Sequence, residues 1–402
     1  MKILAIETSC DDTGIAILEV ESSKVIKLKV LSNIVSSQQI HQNYGGVFPM
    51  MAKREHQTNL APVLGRALKL AKLANSKSKI LNPKQIQNLK KVLEKENTLF
   101  ESVKEFLETY QKPDVDVIAV TCGPGLEPCL WVGVNFAKAL SYIWDLPVIP
   151  VNHIEAHIAV NFPEKINGIS KSKILNPKLL FPAIALVVSG GHTQLILVRK
   201  IGSYKIIGET RDDAAGECFD KAARILGLGY PGGPAIAKIA SQWKSEARNP
   251  KPEISLPRPM MNYKDYDFSF SGLKTAVLYK VRDEQGSPTV RTVGLSKKFV
   301  QEMCFEVQNA ICDVLVKKTL QAAKDFKAKT IILGGGVSAN AELRKQFLLN
   351  VKSQLSNVKI FFPEKNLSTD NGLMIAVAAA LGKKKKASWK NLKASANLRI
   401  GK

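Results

Sequence analysis

Short apolar runs separated by polar, glycine-containing turns are the dominant pattern along this chain. Residues 2–6 form an apolar run, residues 7–14 (ETSCDDTG) form a polar turn, and residues 15–20 form a second apolar run. Alternation and turn chemistry of this kind predict a β-hairpin. The same unit returns later, with a run at 183–188, the turn SGGHT at 189–193 and a run at 194–199. A unit that occurs twice predicts two related domains.

Other apolar runs are followed by glycine-rich turns and then by segments with helical periodicity. The run at 115–121 leads into the turn GPG at 123–125 and a helix predicted over 130–144. The run at 330–333 leads into the turn GGGVSAN and a helix predicted from Ala341 onward. Strands that alternate with helices in this way predict an α/β fold with mixed sheets flanked by helices.

Length and composition divide the chain further, since 402 residues predict two or three domains. We predict an N-terminal domain over 1–150, a C-terminal domain over 151–382 and a basic tail over 383–402. Two polar segments, at about 74–112 and 163–178, are interpreted as inserts, the first as an added helix. Both contain the nine residues SKSKILNPK, which we interpret as linker material. The lysine-rich tail is predicted to be frayed and solvated.

The charge balance indicates a polyanionic partner. The chain has 58 Lys+Arg against 35 Asp+Glu, a formal net charge of +23, which favours nucleic acid. Its six cysteines are scattered without a CxxC pair, as is typical of buried thiols in a reducing compartment. Acidic residues interrupt the first apolar run too early for a signal peptide, and no uncharged stretch reaches the ~18 residues of a membrane span. A soluble protein of the cytoplasm is expected.

Two of the five histidines, His153 and His157, are spaced i and i+4 in the segment HIEAH. On a helix they lie about 40° apart on one face, a spacing that suits one metal ion. Glu155 at i+2 points to the opposite face, which speaks against a zincin-type protease, where the glutamate directly follows the first histidine. Asp370 in the turn STDNG is the candidate third ligand, and its alternative role is to cap the following helix. Two histidines and one aspartate would leave positions open for a substrate.

Three glycine-rich turns are suited to an anionic ligand. They are SGGHT at 189–193, GGP at 232–234 and GGGVSAN at 334–340. Glycines let backbone N–H groups approach an anion closely, and a helix N-terminus adds positive potential. Carboxylates accompany these turns: Asp11 and Asp12 in the first hairpin, and Asp220 in the run DDAAGECFD. Asp11 and Asp12 could accept a proton, and their other interpretation is ordinary turn chemistry.

With these motifs in this order, the chain resembles the tRNA adenosine threonylcarbamoyltransferases, the TsaD family. The matching segments are IETSCDDTG, YGGVFP with REH, GPGL, VNHIEAH, VVSGGHTQL, DDAAGECFDKAARILGLGYPGGP, FSFSGLKTAV, GGGVSANAELR and STDNG. The resemblance implies an actin/hexokinase/Hsp70-like (ASKHA) fold, with two related subdomains and an active-site cleft between them. Met50 stands where the family usually has an acidic residue, so that loop is assigned no catalytic role. EPCLWVG is similar to the archaeal branch, but DDAAGECFDK and FSFSGLK favour the bacterial type.

The resemblance also implies roles for individual residues. A metal ion, iron in preference to zinc, would be held by His153, His157 and Asp370. Asp11 and Asp12 would be catalytic residues close to the reacting carbonyl. The implied substrate-binding residues are Val187, Val188, Ser189, Gly190, Gly191, Asp220, Gly233 and Asn340. Within that set, 189–191 would contact a phosphate, Asp220 and Gly233 a ribose, and Asn340 an adenine.

The implied activity is transfer of a threonylcarbamoyl group from threonylcarbamoyl-AMP to the N6 amine of adenosine 37, in tRNAs that read codons beginning with adenine. AMP is released, and a TsaB paralogue and a TsaE ATPase are the implied partners. Two other interpretations stay open. A small-molecule kinase of the same superfamily would keep both hairpins, but it gives no reason for the histidine pair. A non-catalytic nucleotide-binding scaffold would contain no metal and transfer nothing.

Overall fold

The computed structural model describes residues 1–21, 26–76, 80–164, 171–174, 180–246, 252–286, 294–382 and 387–401. The chain divides into two compact units. Unit 1 consists of Met1–Gln39, Val47–Asn176 and Thr369–Lys402, and unit 2 consists of Ile40–Gly46 and Pro177–Ser368. This division differs from the predicted domains, 1–150 and 151–382, because the HIEAH segment and the last segment of the chain both pack within unit 1.

The strands of the described residues are β1 (Lys2–Glu7), β2 (Asp12–Glu21), β3 (Lys27–Ser37), β4 (Val117–Gly123), β5 (Val148–Asn152), β6 (Lys171–Lys173), β7 (Ala183–Val188), β8 (Thr193–Lys200), β9 (Ser203–Glu209), β10 (Thr330–Gly334) and β11 (Lys359–Phe361). Strands β1, β4, β7 and β10 are buried along nearly their whole length. Because side chains on both faces of these strands are covered, their sequences are continuous apolar runs without alternation.

The α-helices of the described residues are α1 (Pro49–Leu70), α2 (Pro83–Val92), α3 (Asn97–Thr109), α4 (Glu127–Trp144), α5 (His153–Ala159), α6 (Ala215–Ile225), α7 (Gly232–Glu246), α8 (Ser271–Gln285), α9 (Lys297–Asp325), α10 (Ala341–Gln354), α11 (Lys365–Ser368) and α12 (Gly372–Leu381). Short 3₁₀ helices lie at Gln39–Tyr44, Gly336–Ala339 and Trp389–Asn391. Within the part of the chain that the structure describes, no helix combines the length and the apolar character that crossing a bilayer requires.

Unit 1 is built on one mixed sheet, with the order β5-β4-β1-β2-β3-β6 among its described strands. Strands β1, β2 and β3 form an antiparallel meander, and β4 and β5 continue the sheet parallel to β1. Leu4 and Ile6 of β1 belong to the same core as Leu64 of α1 and Phe136 of α4. Helix α12 packs against β1 and β2.

Unit 2 repeats this topology, with the order β11-β10-β7-β8-β9 among its described strands. Strands β7, β8 and β9 form an antiparallel meander, and β10 and β11 run parallel to β7. Its own core includes Phe219 of α6, Ile311 of α9 and Phe268. The predicted class, α/β with two related subdomains of mixed sheets flanked by helices, is confirmed.

The two predicted inserts are more ordered than their composition indicates. The first contains two helices instead of one, α2 and α3, and α2 begins with a capping box between Asn82 and Gln85. The second contributes β6, which pairs antiparallel with β3. The other residues of the second SKSKILNPK segment, 170 and 175–178, lie outside the described residues.

The tail also differs from its prediction. Its four consecutive lysines at 383–386 lie outside the described residues, but the segment that follows is packed against unit 1. Leu392 belongs to the core of that unit, and Ile400 is buried. The backbone N–H of Ser395 donates to the carbonyl oxygen of Cys122 over 2.8 Å. The prediction of a frayed tail is wrong for this segment, because Leu392 and Ile400 are buried while Lys390 and Lys393 remain at the surface.

Candidate metal centre and nucleotide-binding turns

The two histidines lie on α5, a short helix that begins directly after β5. Asn152, the last residue of β5, accepts a hydrogen bond from the backbone N–H of Glu155 over 3.1 Å and so caps the helix. His153 and His157 are both buried, with ring centroids 4.6 Å apart and ring planes at 81°. The spacing in the sequence therefore places two imidazoles side by side, as predicted.

Asp370 reaches this helix from the last segment of unit 1. A Cβ atom on Gly14 would lie 2.7 Å from the backbone N of Gly372, so only glycine lets the start of α12 lie directly on β2. The cap of α12 is Asn371, whose Oδ1 accepts a hydrogen bond from the backbone N–H of Met374 over 3.0 Å. The capping role that Asp370 could have had is thus filled by its neighbour.

Three potential ligand atoms converge at this point. Oδ1 of Asp370 lies 3.2 Å from Nε2 of His157 and 3.6 Å from Nε2 of His153. One ligand atom from each of the three residues lies within 4.8 Å of the other two. Both ring nitrogens of His157 are buried: among the described residues Nδ1 has no hydrogen-bond partner, and Nε2 faces the Asp370 carboxylate without the geometry of a good hydrogen bond. Two imidazoles and a carboxylate are a donor set for zinc or ferrous iron, and buried nitrogens that lack good hydrogen bonds fit that role.

The electrostatics of the pair differ between its members. Burial lowers the pKa of His153, but the negative charges of Asp370 and Glu7 outweigh burial and raise that pKa to about 9. For His157, burial and the neighbouring His153 outweigh Asp370, and its pKa is lowered. A second proton on His153, at Nε2, and a cation between the two rings would therefore neutralise the same negative charge, and they exclude each other.

Behind His153 lies a second layer of polar groups from β1 and the turn that follows it. Oε2 of Glu7 lies 3.3 Å from Nδ1 of His153, and Oγ of Ser9 lies 3.2 Å from the same atom. The Ser9 hydroxyl also donates to Oδ2 of Asp370 over 3.5 Å. Nδ1 of His153 is thus hydrogen-bonded within the protein, while Nε2 of the same ring points towards Asp370 and His157.

The two candidate catalytic aspartates lie at the end of the first hairpin. Asp11 is in the turn, where its carbonyl oxygen accepts a hydrogen bond from the backbone N–H of Gln38 over 3.2 Å. Asp12 is the first residue of β2, so the turn is shorter than predicted. Burial, opposed by a hydrogen bond from Ser37 and supported by the charge of Asp370, raises the pKa of Asp12 to about 7. Asp12 is therefore close enough to Asp370 for the two carboxyl groups to interact electrostatically.

His56 of α1 holds the same hairpin from the other side. Its Nδ1 lies 2.8 Å from Oγ1 of Thr13, and its Nε2 lies 2.9 Å from the carbonyl oxygen of Cys10. Because a carbonyl oxygen only accepts, Nε2 carries the hydrogen and Nδ1 accepts from the threonine. The histidine of the REH motif therefore fixes the backbone on which the two aspartates are mounted.

In unit 2, the turn SGGHT joins β7 to β8. The backbone N–H of Ser189 donates to the carbonyl oxygen of His192 over 2.8 Å, and the backbone N–H of Gly216 at the start of α6 donates to the carbonyl oxygen of Ser189 over 3.2 Å. A Cβ atom on Gly190 or Gly191 would meet nothing within 4 Å, so packing within the protein does not require glycine there. The open space above both residues suits a ligand that approaches the backbone.

The turn GGGVSAN lies beside the end of β7. Gly335 has a φ of +83°, and a Cβ atom there would lie 2.4 Å from the carbonyl oxygen of Val188, which explains the glycine. Val187 and Val188 are fully buried, so any contact with a ligand falls to their backbone. Asn340 caps α10 by accepting from the backbone N–H of Leu343 over 3.0 Å.

Asp220 contacts the start of α7, where Gly233 is the second residue. Asp220 lies within α6, and its Oδ1 accepts a hydrogen bond from the backbone N–H of Gly232 over 2.7 Å. The predicted turn GGP forms the first turn of helix α7. The predicted substrate residues of unit 2 thus lie at two places. The first is the ends of strands β7 and β10, with Ser189–Gly191 and the GGGVSAN turn. The second is the N-terminus of α7, with Asp220 and Gly233.

These features define an α/β protein of two related units, with a candidate centre for one divalent cation in the first. The family model described as "TsaD: tRNA N6-adenosine threonylcarbamoyltransferase" matches residues 29–80 and 96–377. A tRNA N6-adenosine threonylcarbamoyltransferase of Persephonella marina is 40% identical over 380 residues, covering 94% of this chain and 88% of its own. One of Thermosipho africanus is 40% identical over 404 residues, covering 100% of both chains. The solved structure of a ROK hexokinase from Thermus thermophilus aligns with 95% of this chain and 97% of its own, at 10% identity and a TM-score of 0.42.

The chain belongs to the tRNA N6-adenosine threonylcarbamoyltransferase family, as the ordered motifs predicted. It is a transferase of that family, with a His153, His157 and Asp370 cluster that can bind a single metal ion.

The residues that support the centre are not among those predicted from the sequence. Glu7 ends the buried strand KILAIE, and a carboxylate in that position needs polar partners, which is a signal that points to it. For His56, nothing in the spacing of REH indicates that its ring binds the first hairpin. The sequence does indicate the role of Asn152, since an asparagine directly before a helix is a common N-cap.

Proposed function

We propose that this chain transfers the threonylcarbamoyl group of threonylcarbamoyl-AMP to the N6 amine of adenosine 37, in tRNAs that read codons beginning with adenine. Family membership supports the transfer to a tRNA adenosine. The observation that carries the metal-dependent part of the proposal is the convergence of His153, His157 and Asp370 within 4.8 Å.

In this proposal the three residues hold one divalent ion, ferrous iron in preference to zinc. Once bound, such an ion supplies Lewis-acid polarisation of a carbonyl or neutralises developing negative charge, an effect of several kcal/mol. The protein contributes a buried donor set that leaves positions open for a substrate oxygen. It also contributes hydrogen bonds from Glu7 and Ser9 that orient the His153 ring.

Unit 2 binds the AMP part of the donor. The backbone N–H groups of the turn at Ser189, Gly190 and Gly191 hold the phosphate, helped by the positive end of α6 next to that turn. Asp220 and Gly233 bind the ribose, and Asn340 at the start of α10 contacts the adenine. The open space over both glycines of the SGGHT turn supports this assignment.

Asp11 or Asp12 accepts the proton of the attacking amine. The N6 nitrogen forms a bond to the carbamoyl carbon, the bond from that carbon to the phosphate oxygen breaks, and the electron pair leaves with AMP. A carboxyl group with a pKa near 7, such as Asp12, accepts a proton at neutral pH more readily than an ordinary aspartate. The acceptor adenosine leaves its base stack to reach the carbonyl, which suits a nucleotide in a loop.

The proposed partners are tRNA, a TsaB-like paralogue and a TsaE-like ATPase, in the cytoplasm. The formal net charge of +23 supports binding to the tRNA backbone. Because contacts between lysine or arginine and phosphate release counterions, affinity for tRNA falls steeply as salt is added.

The decisive experiment incubates the purified protein with threonylcarbamoyl-AMP and unmodified tRNA, with and without the two helper proteins, and analyses the nucleosides by mass spectrometry. We expect threonylcarbamoyladenosine and AMP in equal amounts. Absence of transfer with metal-loaded protein and both helpers would favour a nucleotide-binding scaffold, and ATP-dependent phosphorylation of a small molecule would favour a kinase.

Two sets of variants test the assigned residues. His153→Ala and His157→Ala should each lose the bound metal and the transfer activity together, and a metal-free His153→Ala protein that still modifies tRNA would exclude the metal role. Asp11→Ala and Asp12→Ala should differ in turnover. If both keep the normal rate, neither carboxylate is the base.

A further inference from the structure

We infer that Glu7 is a positioning residue: its carboxylate binds Nδ1–H of His153 and so presents Nε2 of that ring as a ligand. The inference rests on the proposed metal site and adds to it a residue outside the ligand set. Glu7 is 0% exposed, in a strand whose neighbours are apolar. An ionised carboxylate in such a place is costly unless several donors satisfy it.

The donors around Glu7 come from three parts of unit 1. Its Oε1 accepts from the backbone N–H of Ser9 over 2.5 Å. Its Oε2 accepts from Oγ1 of Thr121 over 2.5 Å and lies 3.3 Å from Nδ1 of His153. The backbone of its own turn and a hydroxyl of β4 thus each occupy one acceptor site of the carboxylate, and Nδ1 of His153, which Oγ of Ser9 also approaches to 3.2 Å, is the third donor within reach.

The register of the sheet produces this arrangement. Strand β1 runs parallel to β4 with Ile6 paired to Val120, so the next residues along each strand, Glu7 and Thr121, are also neighbours. Strand β5 runs parallel to β4 in turn and delivers His153 as its next residue. A carboxylate, a hydroxyl and an imidazole therefore stand in a row at the same end of three adjacent parallel strands.

The chemical consequence concerns the tautomer of His153. With Nδ1 protonated and bonded to Glu7, the lone pair of Nε2 is available, and Nε2 lies 3.6 Å from the Asp370 carboxylate. A carboxylate behind a ligating histidine also makes its ring more basic. His157 has no such partner: among the described residues its Nδ1 makes no hydrogen bond. Glu7 is therefore within hydrogen-bond distance of one ligand of the pair, His153, and not of the other.

The test uses Glu7→Gln, which keeps the shape of the side chain and removes its charge. Glu96→Gln is the matched control, because Glu96 is also buried in unit 1 and also bonds a side-chain donor, Gln57. Metal-free proteins are titrated with Co²⁺, followed by visible absorption, and with Zn²⁺ in competition with a chelator. Thermal unfolding of the metal-free proteins is recorded in parallel.

We expect Glu7→Gln to weaken binding of both ions about 10- to 100-fold and to change the Co²⁺ absorption bands. Glu96→Gln should bind both ions as the unaltered protein does, whatever its effect on unfolding. If Glu7→Gln does not fold, Glu7→Asp, which withdraws the carboxylate by one methylene, should show the same weakening. Unchanged Co²⁺ affinity and bands in the folded Glu7 variant would overturn the inference.

His153→Ala separates this outcome from a failure of the proposed metal site. If His153→Ala binds Co²⁺ as tightly as the unaltered protein, the ion is bound elsewhere and the metal proposal itself fails. If His153→Ala loses the ion while Glu7→Gln keeps it unchanged, only the role of Glu7 is lost.

Discussion

Leu392 tests whether the last segment of the chain is part of the fold. Its side chain is 3% exposed and belongs to the core of unit 1. Nearby, the ring of Trp389 meets that of Tyr142 on α4 at an angle of 67°, with centroids 5.6 Å apart. We predict that Leu392→Ala destabilises unit 1, although the composition of the segment predicts a solvated tail.

The size of the effect follows from the burial. Truncating a buried leucine to alanine costs about 2–5 kcal/mol, the lost transfer free energy plus a cavity term. A segment near the end of a chain relaxes more easily than a central strand, so the expected loss is about 2–3 kcal/mol. The matched control is Leu70→Ala on α1, also in unit 1, where the same atoms are removed from a residue 45% exposed. Its effect should stay within about 0.5 kcal/mol.

The measurement is urea unfolding followed by tryptophan fluorescence. Trp131, Trp144 and Trp389 lie in unit 1, so the signal reports mainly on the affected unit. A chelator is included because a bound ion would stabilise the folded state by mass action. If Leu392→Ala unfolds within about 0.5 kcal/mol of the unaltered protein, the segment contributes no core burial and its packed position is refuted.

Three further predictions concern other parts of the fold. Gly133→Ala on α4 should destabilise the protein by about 1–3 kcal/mol despite the helix propensity of alanine, because the new Cβ would lie 2.1 Å from Oγ1 of Thr8. The control is Gly272→Ala on α8, where a Cβ would meet nothing within 4 Å, and it should be neutral or stabilising. Urea unfolding measures both. Partial burial raises the pKa of Asp212, but hydrogen bonds from Ser269 and Ser271 outweigh burial and lower it. Asp212→Asn should therefore be less stable than the unaltered protein above the pKa of an unfolded aspartate. The difference between their urea midpoints should vanish as the pH falls through the lowered pKa. Zn²⁺ at 100 times its Kd should stabilise the unaltered protein by ~2.7 kcal/mol in thermal unfolding and leave His157→Ala unchanged.

The repeated hairpin was the most informative feature for predicting the fold. Apolar runs bounded by polar turns are local patterns, and they located β1, β2, β7 and β8 to within a few residues. The division into units could not be predicted from local patterns. The last segment of the chain joins unit 1 because Gly372 packs on Ile15 and Ala16, a contact between residues far apart that no periodicity indicates. For the same reason the predicted domains broke the chain once, whereas unit 1 is made of three segments.

The sequence predicted those residues of the candidate site whose type and local spacing are enough to indicate their chemistry. The i, i+4 spacing of His153 and His157 is such a signal. Asn371 caps α12, which leaves Asp370 as a candidate ligand. The sequence shows both residues but does not indicate which of them is the cap. Glu7 and His56 could not be assigned, because each works through a hydrogen bond to a residue more than forty positions away.

The division of unit 1 into three segments has a consequence for how the protein is made. His153 and His157 emerge from the ribosome early, but the whole segment Pro177–Ser368 is translated before Asp370. At roughly 5–20 residues per second, that interval lasts on the order of ten seconds or more. A nascent chain therefore holds two imidazoles without their carboxylate throughout this time. In the proposed centre, insertion of a cation would then be a late event, and a ribosome-stalled chain ending before Asp370 should capture an ion no better than an Asp370→Ala protein.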